Sequence, residues 1–347
     1  MMLWITNEIS MKNIYSVFTI FLSISCCSGQ SSQQYLMRGN EQLNSQDFQG
    51  AIIEFSKAIK LDPNNIEARY NNAISKYSIN DFRGAIIDFD FAIRINPNHS
   101  DSYFYRALSR SGIRDYSGAF SDFDRALEID SANEEYYTAR GTTRVLVKDY
   151  VGAFSDYNAA ISINPNSANG YYSKGHLNYS LKNFERALED LNKAVQLDLN
   201  FYRAFYTLGN TKYELADFQG AKAAYTNAVN IYPQYADGYF ARGKVCSALQ
   251  DRNGAIDDFT LAIVHNPKHS GAFVNRGIQK AQLKDYTQAI EDFDSAVKIS
   301  PNISTAYYNR GLCYVFSGSN DAGCADLKRA TQMGDKEALQ ALENYCQ

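Results

Sequence analysis

The sequence predicts an all-α protein: a solenoid of nine helix–turn–helix repeats with a short C-terminal capping helix. Three observations predict it. First, a pattern of small and large apolar residues recurs every 34 residues, without insertion or deletion, along most of the 347-residue chain. Second, Ala occupies position 27 of all nine repeats: Ala58, Ala92, Ala126, Ala160, Ala194, Ala228, Ala262, Ala296 and Ala330. Third, all six prolines (Pro63, Pro97, Pro165, Pro233, Pro267, Pro301) share position 32. Self-similarity at a fixed period of this length is the signature of stacked supersecondary units.

Each recurring residue type has a physical reason. Position 8 is Gly or Ala (Gly39, Ala73, Ala107, Gly141, Gly175, Gly209, Gly243, Gly277, Gly311). Position 20 is Ala from Ala51 to Ala289 and Gly323 in the last repeat. Small side chains at these places let the two helices of a repeat approach closely. Gly costs about 1 kcal/mol against Ala inside a helix, so its recurrence implies that close approach offsets the loss. Position 24 carries the large wedge: Phe55, Phe89, Phe123, Tyr157, Leu191, Tyr225, Phe259, Phe293 and Leu327. Proline at 32 has no amide proton and disfavours helical geometry in the residue before it, which ends the second helix.

This pattern resembles the tetratricopeptide repeat (TPR), whose unit is a helix–turn–helix of the same period. The resemblance runs from about Ser32 to Lys336 and implies a right-handed superhelical solenoid. The array spans 30–337, with repeats at 32–65, 66–99, 100–133, 134–167, 168–201, 202–235, 236–269, 270–303 and 304–337. Residues 338–347 form the expected capping helix, with Leu339, Leu342 and Tyr345 at helical spacing to cover the last open face. The chain departs from the family at position 11, where the usual aromatic gives way to Lys76, Arg110, Arg144 and Lys212. Proline 32 is replaced by Ser131, Leu199 and Asp335, and the ninth repeat carries Gly323 and Cys324.

Residues 1–29 read as an N-terminal extension and signal peptide with Met11 as the start. Met11-Lys12-Asn13 is a short positive segment, and Ile14 to Ile24 is an apolar run too short to span a membrane. Two export routes are open. Cleavage after Gly29 would satisfy the small-residue rule, whereas Leu22-Ser23-Ile24-Ser25-Cys26 resembles a loose lipobox that would make Cys26 a lipid anchor. Either route predicts an exported protein, periplasmic or envelope-associated. In an oxidising compartment Cys324 is expected to pair with Cys313 or Cys346, the alternative being buried free thiols.

The charges read as structural. Position 7 is basic in seven repeats and position 23 acidic in eight; repeat six loses both at once, with Leu208 and Ala224. The paired loss predicts a ladder of ion pairs joining the two helices of a repeat, or one repeat to the next. Asp at position 16 (Asp47, Asp81, Asp115, Asp149, Asp217, Asp285) is expected to cap the second helix. His265 and His269 flank Pro267 and read as solvated turn residues without a metal.

A net charge of −4 argues against a nucleic-acid footprint. No phosphate-binding, nucleophile-elbow or zinc-hydrolase motif is present, and the repeats use up the chain, so no enzyme activity and no cofactor are expected. The family resemblance implies a groove lined by positions 2, 5, 9 and 12 of each first helix, here Tyr70, Tyr77, Phe104, Tyr172, His176, Tyr179, Arg203, Tyr206, Asn210, Tyr213, Phe240 and Lys244. It implies a non-catalytic scaffold that binds a peptide or helix of a partner protein, with repeats five to seven the best site. The alternative is an accessory subunit of a separately encoded envelope enzyme, such as a glycosyltransferase or peptidoglycan-processing complex. Membrane contact is expected only through the N-terminal lipid, and nothing in the sequence fixes the oligomeric state.

Overall fold

A computed structural model describes residues 31–346, all helix and turn. Among the described residues, nineteen helices run in chain order. The first half of the chain, to Asp156, holds α1 (Ser32–Asn44), α2 (Phe48–Leu61), α3 (Ile66–Ser78), α4 (Phe82–Ile95), α5 (Ser100–Gly112), α6 (Tyr116–Ile129) and α7 (Glu134–Leu146). The boundary between the two compact halves falls inside α8 (Tyr150–Ile163). The second half continues with α9 (Ala168–Ser180), α10 (Phe184–Leu197), α11 (Tyr202–Glu214), α12 (Phe218–Ile231), α13 (Ala236–Ala248) and α14 (Arg252–His265). It closes with α15 (Ser270–Gln282), α16 (Tyr286–Ile299), α17 (Ser304–Phe316), α18 (Asn320–Gln332) and α19 (Lys336–Tyr345). Odd-numbered helices up to α17 are the first helix (A) of a repeat and even-numbered ones the second (B).

The core follows from the small residues. Ala51, Ala85, Ala119, Ala187, Ala221, Ala255 and Ala289 are fully buried, as are the position-27 alanines beside them. The position-24 wedge enters the space that position 8 leaves open. A Cβ added at Gly209 would come within 2.5 Å of Tyr225 Cε1, and one at Gly243 within 2.7 Å of Phe259 Cε1. At these two glycines it is the ring opposite, and not the backbone, that leaves no room for a Cβ, whereas repeats two and three seat Ala73 and Ala107 opposite Phe89 and Phe123.

The turn between helices A and B is fixed by two devices. A residue at position 15 adopts left-handed geometry, from Gln46 (φ 62°) through Lys284 (φ 64°), which lets the next amide return to the end of helix A. Asp47 N, for example, donates to the Gln42 carbonyl at 2.8 Å. That aspartate then caps helix B: Asp47, Asp81, Asp115, Asp149, Asp217 and Asp285 each accept from the amide three residues on. Asp251 does the same in repeat seven, although its neighbour Arg252 is not aromatic.

The ion-pair ladder has a more detailed form than the sequence suggested. Arg106, Arg140, Arg242, Arg276 and Arg310 each hold the position-23 aspartate of their own repeat, with distances of 2.5–2.7 Å for the shortest bond. The remaining guanidinium nitrogen reaches back to position 25 of the preceding repeat. It meets Asp90, Asp124 or Asp294 at 2.6 Å, or the Thr226 and Thr260 hydroxyls at 3.3 and 3.0 Å. One side chain therefore ties a repeat internally and to its predecessor. Basic residues at position 11, which stand where an aromatic is usual, give several of these aspartates a second cation, as in Arg110–Asp122 at 2.8 Å and Lys280–Asp292 at 2.9 Å; in repeat two, where position 7 is Asn72, Lys76 at 2.6 Å and Arg69 at 3.2 Å hold Asp88. Repeat one breaks the pattern, because Arg38 is exposed and Glu54 pairs with Lys57.

Two expectations need correction. The last helix begins at Lys336, and its packing face is Ala338, Ala341 and Leu342 against Leu327 and Ala330; Leu339 and Tyr345 remain largely exposed. Small side chains face inward there because Ala338 and Ala341 are the residues that pack on Leu327 and Ala330 of α18. His269 is not a solvated turn residue. It caps α15 by accepting from Ala272 N at 3.1 Å, and its ring lies 4.4 Å from that of Phe240. His99 caps α5 in the same way through Ser102 N.

Candidate functional site

In the second half, α9, α11 and α13 present a face rich in tyrosine. Two adjoining recesses open on it. One, of about 380 Å³, is lined by Tyr172, His176, Tyr202, Arg203 and Tyr235, among others; the second, of about 130 Å³, by Tyr213, Glu214, Tyr225, Phe240 and Lys244. Tyr179, Tyr206 and Asn210 border both. The structure thus brings together nine residues that the sequence singled out, from Tyr172 to Lys244.

The rings hold one another in place. Tyr206 meets Tyr235 edge to face with centroids 5.1 Å apart and lies 5.7 Å from Tyr225. Tyr172 packs on Phe201 at 4.7 Å and on His176 at 5.7 Å. Tyr225 OH donates to Asn210 Oδ1 at 2.7 Å, which fixes the amide at the junction of the two recesses. Such pairs add roughly 0.5–1.5 kcal/mol beyond area burial and make the face rigid before any ligand arrives.

Burial sets the electrostatics of the face. It raises the Tyr206 hydroxyl above its ordinary value, an effect that a hydrogen bond with Asn210 partly offsets. Tyr172 is likewise raised by burial, with Thr207 opposing. His176 stays accessible at the surface, yet desolvation by the surrounding rings lowers it below the usual imidazole value, so the ring is neutral at pH 7. Arg203 and Lys244 are exposed. Arg203 Nε donates to Tyr202 OH at 3.1 Å, and Lys244 Nζ lies 5.2 Å from the centroid of Tyr213. Neither forms an ion pair with a described residue.

Residues that pattern reading did not single out for the face include Tyr202 and Tyr235, at positions 1 and 34. These lie in the junction between repeats, outside the helix A positions that the resemblance supplied. The tyrosines on either side of Pro233 (Tyr225, Tyr232, Tyr235, Tyr239) were the available signal for Tyr235.

In the first half, Tyr70 and Tyr77 do lie together, packed around Tyr105 at 6.2 and 5.9 Å. Phe104 does not join them. It is 2% exposed, wedged between Phe123 and the ring of Tyr136, which stacks on it at 4.7 Å. A large aromatic at position 3 of the following repeat seals that place, so Phe104 is core and not a partner-binding residue.

The structure joins Cys324 to Cys346, 22 residues apart, and thereby ties α19 to α18. Cys313 is free and buried, with its thiol pushed up to about 11 by desolvation. Cys26, the start at Met11 and the cleavage site after Gly29 lie outside the described residues. Among the described residues no group of acidic, His and Cys side chains is arranged to hold a metal, and no helix is long and apolar enough to cross a membrane.

Comparison with known proteins agrees with the class the helix pairs define. Residues 34–65, 168–201, 202–235 and 272–303 match the model of the tetratricopeptide repeat, and the other repeats share their helix pairing and register. Among solved structures, the C-terminal part of a TPR repeat-containing protein from Cytophaga hutchinsonii aligns with a TM-score of 0.56 at 17% identity, over 69% of this chain and 98% of its own. PilF of Pseudomonas aeruginosa aligns at 0.54 and 16% identity, over 62% and 97%. The Cut9–Hcn1 hetero-tetramer aligns at 0.55 and 16%, over 83% of this chain and 57% of that one. No curated protein sequence matches the chain. The described helices pair as tetratricopeptide-type units, and the family model itself matches four of the nine repeats.

Proposed function

We propose that this protein is an exported, non-catalytic scaffold that holds a peptide or helix of a partner protein on the tyrosine face of repeats five to seven. The observation that carries the reading is the pair of adjoining recesses sharing Tyr179, Tyr206 and Asn210. Half-buried tyrosines locked by their neighbours offer amphipathic contact area at small entropic cost, the property enriched at recognition surfaces.

Export is supported by the basic start and apolar run at Met11 to Ile24, and by a disulfide of the kind that persists in oxidising compartments. The mass of the native mature N-terminus distinguishes cleavage after Gly29 from lipidation at Cys26.

Binding is tested by affinity capture from envelope extract with the native chain and with Tyr206→Ala/Tyr213→Ala. The proposal expects one or more partners to be lost from the variant while its helical content is unchanged. An identical set of captured proteins counts against the tyrosine face as the binding site.

A further inference from the structure

The A helices of the second half treat their basic residues in two ways. Those at positions 7 and 11 of the A helices are spent on structure: Lys174, Arg242, Arg276, Lys280 and Arg310 all pair with the position-23 aspartate of their own repeat. Lys212, whose repeat has Ala224 there, turns instead to Asp217 at 3.7 Å. Arg203 and Lys244, at positions 2 and 9, have no carboxylate partner among the described residues. Each lies in one of the two adjoining recesses, with Tyr179, Tyr206 and Asn210 between. Two unneutralised cations at the ends of a rigid aromatic floor form a surface complementary to an occupant with two separated negative charges.

Their separation can be bounded from helix geometry. Arg203 and Lys244 lie seven positions apart in register on A helices of successive repeats, about 10 Å along the axis at 1.5 Å per residue. Neighbouring helices lie about 9 Å apart. The diagonal of roughly 14 Å corresponds to about four residues of extended chain at 3.3 Å each.

We propose that the face takes an extended peptide segment bearing two carboxylates about four residues apart, one meeting Arg203 and the other Lys244. An aromatic or apolar residue between them lies over Tyr206 and Tyr179. The proposal rests on the reading of this face as a peptide site and adds the chemistry of the occupant. Glu214 borders the recess of Lys244 without forming an ion pair with it. Its charge disfavours a run of acids, so the site selects one carboxylate at each end and not a polyacidic tract. Lys244, already over the Tyr213 ring, keeps that contact while it accepts an anion on its open side.

The test uses the full mature chain and a fluorescently labelled peptide, Ser-Glu-Pro-Tyr-Pro-Glu-Ser, acetylated and amidated so that no terminal carboxylate is present. Matched peptides carry Gln or Lys in place of both Glu residues. We expect the Glu peptide to bind roughly tenfold more tightly than the Gln peptide and the Lys peptide more weakly still, with the preference shrinking as salt rises. Arg203→Gln and Lys244→Gln, both at exposed positions, each cut the preference for the Glu over the Gln peptide to about threefold, and the double variant abolishes it. Equal binding of the Glu and Gln peptides, or a preference for Lys, overturns the acidic occupant and leaves the peptide site standing. Binding of none of the three overturns both.

Discussion

Arg310 holds Asp326 through two parallel hydrogen bonds, Nε to Oδ2 and Nη2 to Oδ1, both at 2.7 Å. The third guanidinium nitrogen reaches Asp294 of the preceding repeat at 2.6 Å. Asp326 is 8% exposed and, unlike Asp292, has no second cation from position 11, where Tyr314 stands. Arg310→Leu therefore strands a buried carboxylate and is expected to cost about 3 kcal/mol. Repeat six shows the apolar solution, Leu208 with Ala224, so Arg310→Leu/Asp326→Ala should recover most of that loss. Urea unfolding of both variants measures it; a double variant no more stable than the single one contradicts the coupling.

Gly209→Ala separates helix propensity from packing. Propensity alone favours Ala by about 1 kcal/mol. The added Cβ would meet the Tyr225 ring at 2.5 Å, and Tyr225 holds Asn210. Net destabilisation of about 1–3 kcal/mol is expected from overpacking, with a shift of the Asn210 side-chain amide resonance. A variant more stable than the native chain contradicts it.

The sequence made the periodicity, the position-8 glycines and the basic–acidic coupling legible, because each recurs and a recurring residue must serve the repeat itself. What it concealed depends on the identity of a neighbour. Phe104 is closed off only because Tyr136 follows, whereas Tyr206, at the same position of its repeat, stays at the surface. The reach of position 7 to position 25 was hidden because position 25 varies (Ser56, Asp90, Asp124, Asn158, Asn192, Thr226, Thr260, Asp294, Lys328), and an Asp carboxylate or a Thr hydroxyl serves as acceptor. His99 and His269 act as helix caps through a ring nitrogen, a role that Ser, Thr, Asn and Asp usually fill, so their position gave little warning.

The disulfide should govern the C-terminal end. Cys324–Cys346 closes a loop for which chain entropy gives up to about 3 kcal/mol. Cys346→Ser is expected to loosen α19 and expose Leu327 and Ala330, read as faster amide exchange in α18 and α19 alone. Unchanged exchange there would mean that the buried alanines hold the helix without the bond.

His176 supplies a pH signature. Desolvation lowers its folded pKa below the unfolded value near 6.5. The folded state then binds fewer protons than the unfolded one between the two values, so stability falls as pH drops below about 6.5 and stops falling below the folded pKa. His176→Gln should remove that segment of the pH–stability curve. An NMR titration midpoint at or above the ordinary imidazole value would contradict the desolvated environment.

The central claim is that the tyrosine face of repeats five to seven contacts a partner. A photoreactive p-benzoylphenylalanine in place of Tyr206, compared with one in place of Ile87, which is 57% exposed on α4, measures this most directly in living cells. The account predicts a discrete cross-linked adduct from position 206 and none from position 87. Adducts of equal yield from both, or from neither, would contradict it.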